Sequence, residues 1–316
     1  MSFNELINWA YTQLFVAFSG LISLPFDPSK RLYWPFLLVS VLFAVLIVRY
    51  RDREQKMFSV FFSRNYFLSK STLIDCAYLA LNSFVRVAVL VPLLGSKIFV
   101  AILVARFWQA NFDTPPDLSW SPWVVIALYS LVFFIVDDLS RFLLHMGLHK
   151  IPLLWRFHKV HHSAAILTPL TLHRSHPLEM TFYYLRSMGV FALVTGSFVY
   201  LFGSQVAALE ILGVHAFGFV FNALLANLRH SHIWLSFGKF ERWFISPAQH
   251  QIHHSSAVED KDKNFGTCLA IWDRLAGSIR FAHTRRCLSF GLTKTAEPKK
   301  IKKRPLPLNR QLFSRP

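Results

Sequence analysis

The chain has 316 residues, of which 53% are hydrophobic and only 16% charged, and its mean hydropathy is +0.37. That balance excludes an ordinary soluble domain, and 32 Phe with 9 Trp suit a bilayer and its interfaces. The net charge of +17 would suit nucleic acid in a soluble protein, but the basic residues flank apolar runs and no RNP, finger or helix-turn-helix pattern is present, so the expected contacts are anionic lipid headgroups and not nucleic acid.

In chain order, the opening MSFNELINWAYTQ lacks a basic n-region and does not read as a cleaved signal peptide. Six apolar stretches follow, at 6–26, 33–49, 72–94, 121–144, 177–202 and 204–229. Each approaches the ~20 residues that cross a hydrocarbon core. The first is interrupted by Asn8, Gln13 and Gly20, whereas 33–49 is the clearest. Residues 94–110 are apolar but hold Lys97 and Arg106, and read as an interfacial or partly buried helix. The loop 49–70 carries Arg49, Arg51, Arg53, Lys56, Arg64 and Lys70, and 111–120 carries no Lys or Arg. The first is therefore expected on the cytoplasmic side, so that the end of 121–144 and the end of the 177–229 hairpin return there. Lys30 and Arg31 fall on the opposite side in this scheme. Cys76, Cys268 and Cys287 are too far apart for a disulfide framework or a zinc ribbon. Residues 294–316 are rich in Lys, Arg and Pro and read as a basic, disordered tail near headgroups. The expected fold is all-α: a polytopic membrane helical bundle with a cytoplasmic, histidine-rich helical cap.

Eight of the 14 histidines fall into three tight groups, His145-x-x-x-His149, His158-x-x-His161-His162 and His250-x-x-His253-His254. Spacing of i and i+4 puts His145 and His149 on one helix face. In each HxxHH the outer two share a face and the middle ring can lean toward a neighbouring element. Neutral imidazole suits Fe, Zn, Cu and Ni, and eight nitrogens exceed what one ion takes, so two metals are implied. Asp138 lies seven residues before His145 on the same helical face, where a carboxylate can accept the other ring N–H of a ligand histidine.

The run from Asp138 through His145, His149, Trp155, His158, His161 and His162 to Ser163 resembles the fatty acid hydroxylase/sterol desaturase superfamily. So does Ser246-Pro247-Ala-Gln-His250-Gln-Ile-His253-His254-Ser255, followed by Asn264-Phe-Gly266 and Trp272-Asp273-Arg274. His176-Pro177-Leu178-Glu179 and His230-Ser231-His232-Ile233 are similar too. The resemblance covers about 130–280. It implies a non-haem centre of two iron ions facing the cytoplasm, O2 activation, and hydroxylation or desaturation of a fatty acyl, sterol or related lipid. It maps the eight histidines onto metal ligands, His230 onto a further ligand, and His176 onto a family histidine. There are departures. Met146 stands where Arg often follows the first histidine, and His232 replaces a common Asn and is an alternative ligand. Leu-Ala-Gly-Ser stands at the last turn. The implied organisation is 1–120 N-terminal membrane helices, 121–290 the di-iron domain and 291–316 the tail.

No GxGxxG follows a strand and no CxxCH is present, so electrons are expected from a separate donor of ferredoxin or cytochrome b5 type. A membrane metal transporter would place histidines at mid-membrane with acidic partners, and a bis-histidine haem protein leaves HxxHH unexplained.

Overall fold

A computed structural model describes residues 2–28, 30–51, 64–112, 114–115, 118–203 and 226–292. The apolar stretch 204–229 lies outside them up to residue 225, as does the basic tail from 293 onward.

Helix α1 (Phe3–Ser23) opens on a capping box in which the Ser2 side chain accepts from Glu5 N while Glu5 reaches back to Ser2 N. Helix α2 is Trp34–Arg51, and α3 is a single turn, Arg64–Phe67. Helix α4 (Lys70–Val85) runs on through a π-helical turn, Arg86–Leu90, into α5 (Val91–Leu94). The run halts at Gly95, whose φ of 70° suits a residue without Cβ. Helix α6 (Lys97–Phe112) follows, then α7 (Pro122–Lys150) and, after Ile151 and a proline at the first helical position, α8 (Pro152–His162). Helix α9 is Pro177–Phe202. The last described part holds three short helices, α10 (Asn227–Arg229), α11 (Pro247–His253) and α12 (Ile271–Leu275), joined by turns and loops.

The architecture is all-helical, with two isolated bridges as the extended pairing among the described residues. Four helical stretches are long and apolar enough to cross a membrane: Phe3–Ser23, Lys70–Phe112, Pro122–Lys150 and Pro177–Phe202. Leu93, Trp123, Phe3 and Phe15 are among many large apolar side chains left exposed on them, a surface that lipid covers and water does not. The protein is integral to the membrane. The helix at Trp34–Ile47 is apolar but shorter.

The chain divides into two compact units. The first holds residues 2–30, 80–144 and 177–203. Its core is Val125 and Tyr129 of α7 against Val190, Val194, Phe198 and Phe202 of α9, and the Tyr129 hydroxyl meets Thr195 Oγ1 at 2.9 Å. Helix α6 lies along α9, with Lys97 donating to Ser187 Oγ at 2.8 Å and Trp108 Nε1 to Ser197 Oγ at 2.9 Å. Of the interfacial and partly buried readings of 94–110, this packing fits the second, and Lys97 finds a hydroxyl partner within the bundle. The second unit holds 31–51, 64–79, 145–176 and 226–292. Helices α4 and α7 each contribute to both units.

Gly196 makes the α6–α9 approach possible: a Cβ there would sit 2.6 Å from the Ala101 carbonyl oxygen and 2.7 Å from Val104 Cβ. Overpacking of this kind costs about 1–3 kcal/mol. Gly196→Leu is expected to lower the thermal transition of the detergent-solubilised protein by several degrees, whereas Gly189→Leu, where a Cβ meets open space, leaves it nearly unchanged.

Candidate metal centre

At 29 residues, α7 is about 44 Å long at 1.5 Å per residue, against a hydrocarbon core of about 30 Å. A helix of that length exceeds the apolar layer, and its last turns carry His145 and His149. Helix α8 starts at Pro152 and delivers His158, His161 and His162, all buried. Its C-terminal end is held by Arg174, which donates to Val160 O at 3.3 Å and Ser163 Oγ at 2.8 Å and pairs with buried Asp75 at 3.3 Å. A cation on the last carbonyls of a helix complements both its unfilled acceptors and its dipole. Helix α11 begins with Ser246 as N-cap, Pro247 at the first position and Gln249 closing a capping box. That start sets the rotation of His250 and His253, with His254 at the C-cap.

These elements bring nine imidazoles into two groups: His145, His149, His158, His162 and His253, and His161, His230, His250 and His254. Within each group one ring nitrogen per residue lies within 4.8 Å of all the others. The groups adjoin, with the His162 and His254 ring centroids 4.5 Å apart. Each HxxHH sends its outer pair to one group and its middle ring to the other. His158 and His162 stand with His253, and His250 and His254 stand with His161. His230 completes the second group.

The nitrogens behave as a donor set for cations. His230 Nε2 lies 3.1 Å from His250 Nε2, 3.1 Å from His254 Nε2 and 3.3 Å from His161 Nε2. One N–H satisfies only one of these contacts. Ligand nitrogens about 2.1 Å from a metal stand roughly 3.0–3.4 Å from each other in octahedral or tetrahedral geometry. Nε2 of His149, His162 and His253 is buried and meets no hydrogen-bond partner, a cost that a bound cation removes. Burial pushes His158 down to about 3, and burial with neighbouring imidazoles holds His162, His230, His250, His253 and His254 well below the ordinary histidine value. All six are neutral at pH 7, the form that ligates metal. The residues fit a metal-binding histidine centre.

The ring nitrogens on the far side meet fixed groups. His145 Nδ1 donates to the Phe265 carbonyl at 2.7 Å and His253 Nδ1 to the Lys263 carbonyl at 2.8 Å. His149 Nδ1 faces the Asp262 carboxylate at 3.6 Å. Arg229 Nη2 lies 2.9 Å from His250 Nδ1 and donates to the Gly266 carbonyl at 3.0 Å. The acceptor at His145 is the Phe265 carbonyl; Asp138, expected from the sequence to accept from a ligand histidine, is buried one turn above Arg141. It is Asp137 that pairs with Arg141, at 2.7 Å, and with Arg186, at 2.8 Å. His176 and His232 stand outside both groups: His176 packs on Phe157 with centroids 4.9 Å apart, and His232 lies edge-on to Tyr66 at 5.2 Å. Asp262, Arg229 and the two carbonyls carry no spacing signal, although Asn264-Phe-Gly266 marks their loop.

A fatty acid hydroxylase model matches residues 130–278. The chain fits the fatty acid hydroxylase/sterol desaturase superfamily. It is 28% identical to alkylglycerol monooxygenase of Danio rerio over 57% of this chain and 35% of that protein. It is 25% identical to ornithine lipid hydroxylase OlsE of Rhizobium tropici, over 55% of this chain and 48% of the relative, and 25% identical to lathosterol oxidase of Rattus norvegicus, over 57% and 54%. The chain spans between about a third and just over half of the lengths of these relatives. No solved structure matches it.

The depressed histidines set a sign for acid sensitivity. With a folded value below the unfolded one near 6.5, the unfolded state takes up protons that the native state refuses, so stability is complete above about pH 6.5 and falls as pH drops toward the folded values. Denaturation of the metal-free protein followed from pH 8 to 4 is expected to give a flat midpoint above pH 7 and a steep decline below 6.5. A midpoint independent of pH down to 4 contradicts buried neutral imidazoles.

Proposed function

We propose that this protein is a membrane-bound non-haem di-iron oxygenase that hydroxylates or desaturates a lipid with O2 and electrons from a separate donor. The observation that carries the reading is the pairing of two adjacent, buried, neutral histidine groups built from interleaved HxxHH motifs. Nine imidazoles in two groups support two metal ions and disfavour a single bis-histidine haem. The names of the relatives, which are monooxygenases, hydroxylases and sterol oxidases or desaturases, support a lipid substrate.

His145, His149, His158, His162 and His253 would hold one iron, and His161, His230, His250 and His254 the other. The bound irons would supply activation of O2 and removal of hydrogen from an unactivated C–H bond. The chain's own residues would do the rest. Neutral rings leave nitrogen lone pairs free for ligation. The Phe265 and Lys263 carbonyls keep the Nδ1 protons of His145 and His253 in place. The low exposure of the rings keeps water out. The apolar faces of the membrane helices give a lipid chain lateral access. The excess of Lys and Arg in the 49–70 loop supports a cytoplasmic location for the centre, within reach of a ferredoxin or cytochrome b5 type donor.

Comparative lipid mass spectrometry of cells with and without the gene tests the function. A product lipid 16 mass units heavier means hydroxylation and one 2 units lighter means desaturation; identical lipid profiles count against an oxygenase. Purified protein is expected to need an added electron donor, and turnover with NAD(P)H alone would sink that part of the reading. His161→Ala and His253→Ala are each expected to lower turnover by at least 100-fold, since each strips one ligand from a different group.

A further inference from the structure

The motifs Asn264-Phe-Gly266 and Trp272-Asp273-Arg274 are not accounted for by the nine rings, yet the structure joins both to them. Three of the five rings in the larger group face one five-residue loop with Nδ1. Lys263 gives a carbonyl to His253 and Phe265 a carbonyl to His145, while Asp262 Oδ1 stands 3.6 Å from His149 Nδ1, a charge facing the ring and not a hydrogen bond. A carbonyl only accepts, so Nδ1 of His145 and of His253 carries the proton, and in a neutral ring Nε2 then keeps its lone pair. Nε2 of His149 and His253 is buried without a hydrogen-bond partner. The other oxygen of Asp262 takes Lys150 Nζ at 3.0 Å.

The loop is held by side chains that touch no ring. Asp273, fully buried, accepts from Phe265 N at 2.9 Å and Gly266 N at 2.7 Å, which fixes the peptide whose carbonyl reaches His145. Asn264, also fully buried, donates to Gln249 O at 3.0 Å and Arg280 O at 2.9 Å and accepts from Arg280 N at 2.7 Å. The tie to Gln249 locks the loop to α11, next to His250. Asp262 and Asn264 both have left-handed backbone, with φ of 59° and 56°. Asp and Asn tolerate that conformation better than most residues. Gly266 is confined as well: a Cβ would lie 2.8 Å from Asp273 Oδ2 and 2.8 Å from the Leu269 carbonyl oxygen.

The four-histidine group meets this stretch differently. The group's own far-side neighbour is a donor, the Arg229 guanidinium at His250 Nδ1, itself held by the carbonyls of Gly266 at 3.0 Å and Thr267 at 2.6 Å. One short stretch of backbone therefore turns acceptors toward one group and, through Arg229, a positive charge toward the other.

We propose that the Asp262–Phe265 segment, set by Asn264 and Asp273, is a positioning element for the five-histidine group, and that the two metal positions are unlike and separately lost. This rests on the two-iron reading above. Acceptors at Nδ1 fix ring rotation and make the ligands more basic, so loosening them weakens one metal and leaves the other.

The test is anaerobic reconstitution of the full-length protein with 57Fe(II), reading iron per chain and the Mössbauer spectrum. Wild type is expected to hold two irons with two distinct quadrupole doublets. Asp262→Asn keeps the left-handed backbone and removes the charge facing His149. It is expected to weaken one iron 10–100-fold, moving the count from two toward one at limiting iron, with one doublet lost or shifted and the other unchanged. Asn264→Gly, which also permits positive φ, should act in the same direction more strongly. The thermal transition of each metal-free variant separates this from misfolding, and Asp262, at the loop's half-exposed edge, gives a variant that keeps the fold. If folded Asp262→Asn binds two irons with wild-type doublets, or loses both equally, the proposal is overturned. If wild type takes up no iron, the two-iron reading itself falls and the proposal with it.

Discussion

Nine imidazoles removed from water must each find something to do with two nitrogens, and most of the second unit is arranged around that demand. A buried neutral ring has one donor and one acceptor. Backbone carbonyls of the 262–266 loop take the donors of His145 and His253, and in the other group His230 Nε2 stands 3.1–3.3 Å from Nε2 of His161, His250 and His254, distances that suit a shared cation. Burial keeps the rings neutral, and neutrality keeps their lone pairs available. Charging even one of them in this space would cost more than the group can return, because its neighbours would all be like charges or unshielded dipoles.

The membrane helices serve this centre by length. Helix α7 is longer than the apolar layer needs, and its last turns carry His145 and His149. In the first unit, α7 and α9 share a core of large side chains, and the small residue Gly196 lets α6 come close to α9. In the second unit the histidines sit on a helix end and on short helices. Their final angles are set by short pieces, α8 capped by Arg174 and α11 started by a Ser246–Gln249 box. This division matches what each kind of structure does well: long helices place groups to within a turn, while caps and loop carbonyls fix rotation.

Much of this was legible beforehand. Apolar runs near 20 residues mark α1, α7 and α9, because bilayer thickness fixes the length of a spanning helix. For 94–110 the sequence left an interfacial and a partly buried helix open, since it does not show that Lys97 has Ser187 as a partner. The three histidine groups stood out by spacing alone, and His230 by resemblance. Asp138 lies on the helical face of His145, and a distant loop brings the Phe265 carbonyl to His145 Nδ1. His176 and His232 had local context that looked alike, yet they pack on Phe157 and Tyr66.

The sequence by itself determined the class of chemistry: a membrane chain with two HxxHH motifs and an HxxxH has nitrogens enough for two metals. It also allowed the middle ring of each HxxHH to lean toward a neighbouring element, since neighbours on a helix are about 100° apart around the axis. Only the tertiary structure decided which ring joins which group, because that depends on α8 and α11 facing one another, with His253 crossing to the His158–His162 pair and His161 crossing to the His250–His254 pair. It also decided what holds the rings. Main-chain carbonyls are present at every residue and so leave no mark in a sequence; folding alone selects those of Lys263 and Phe265.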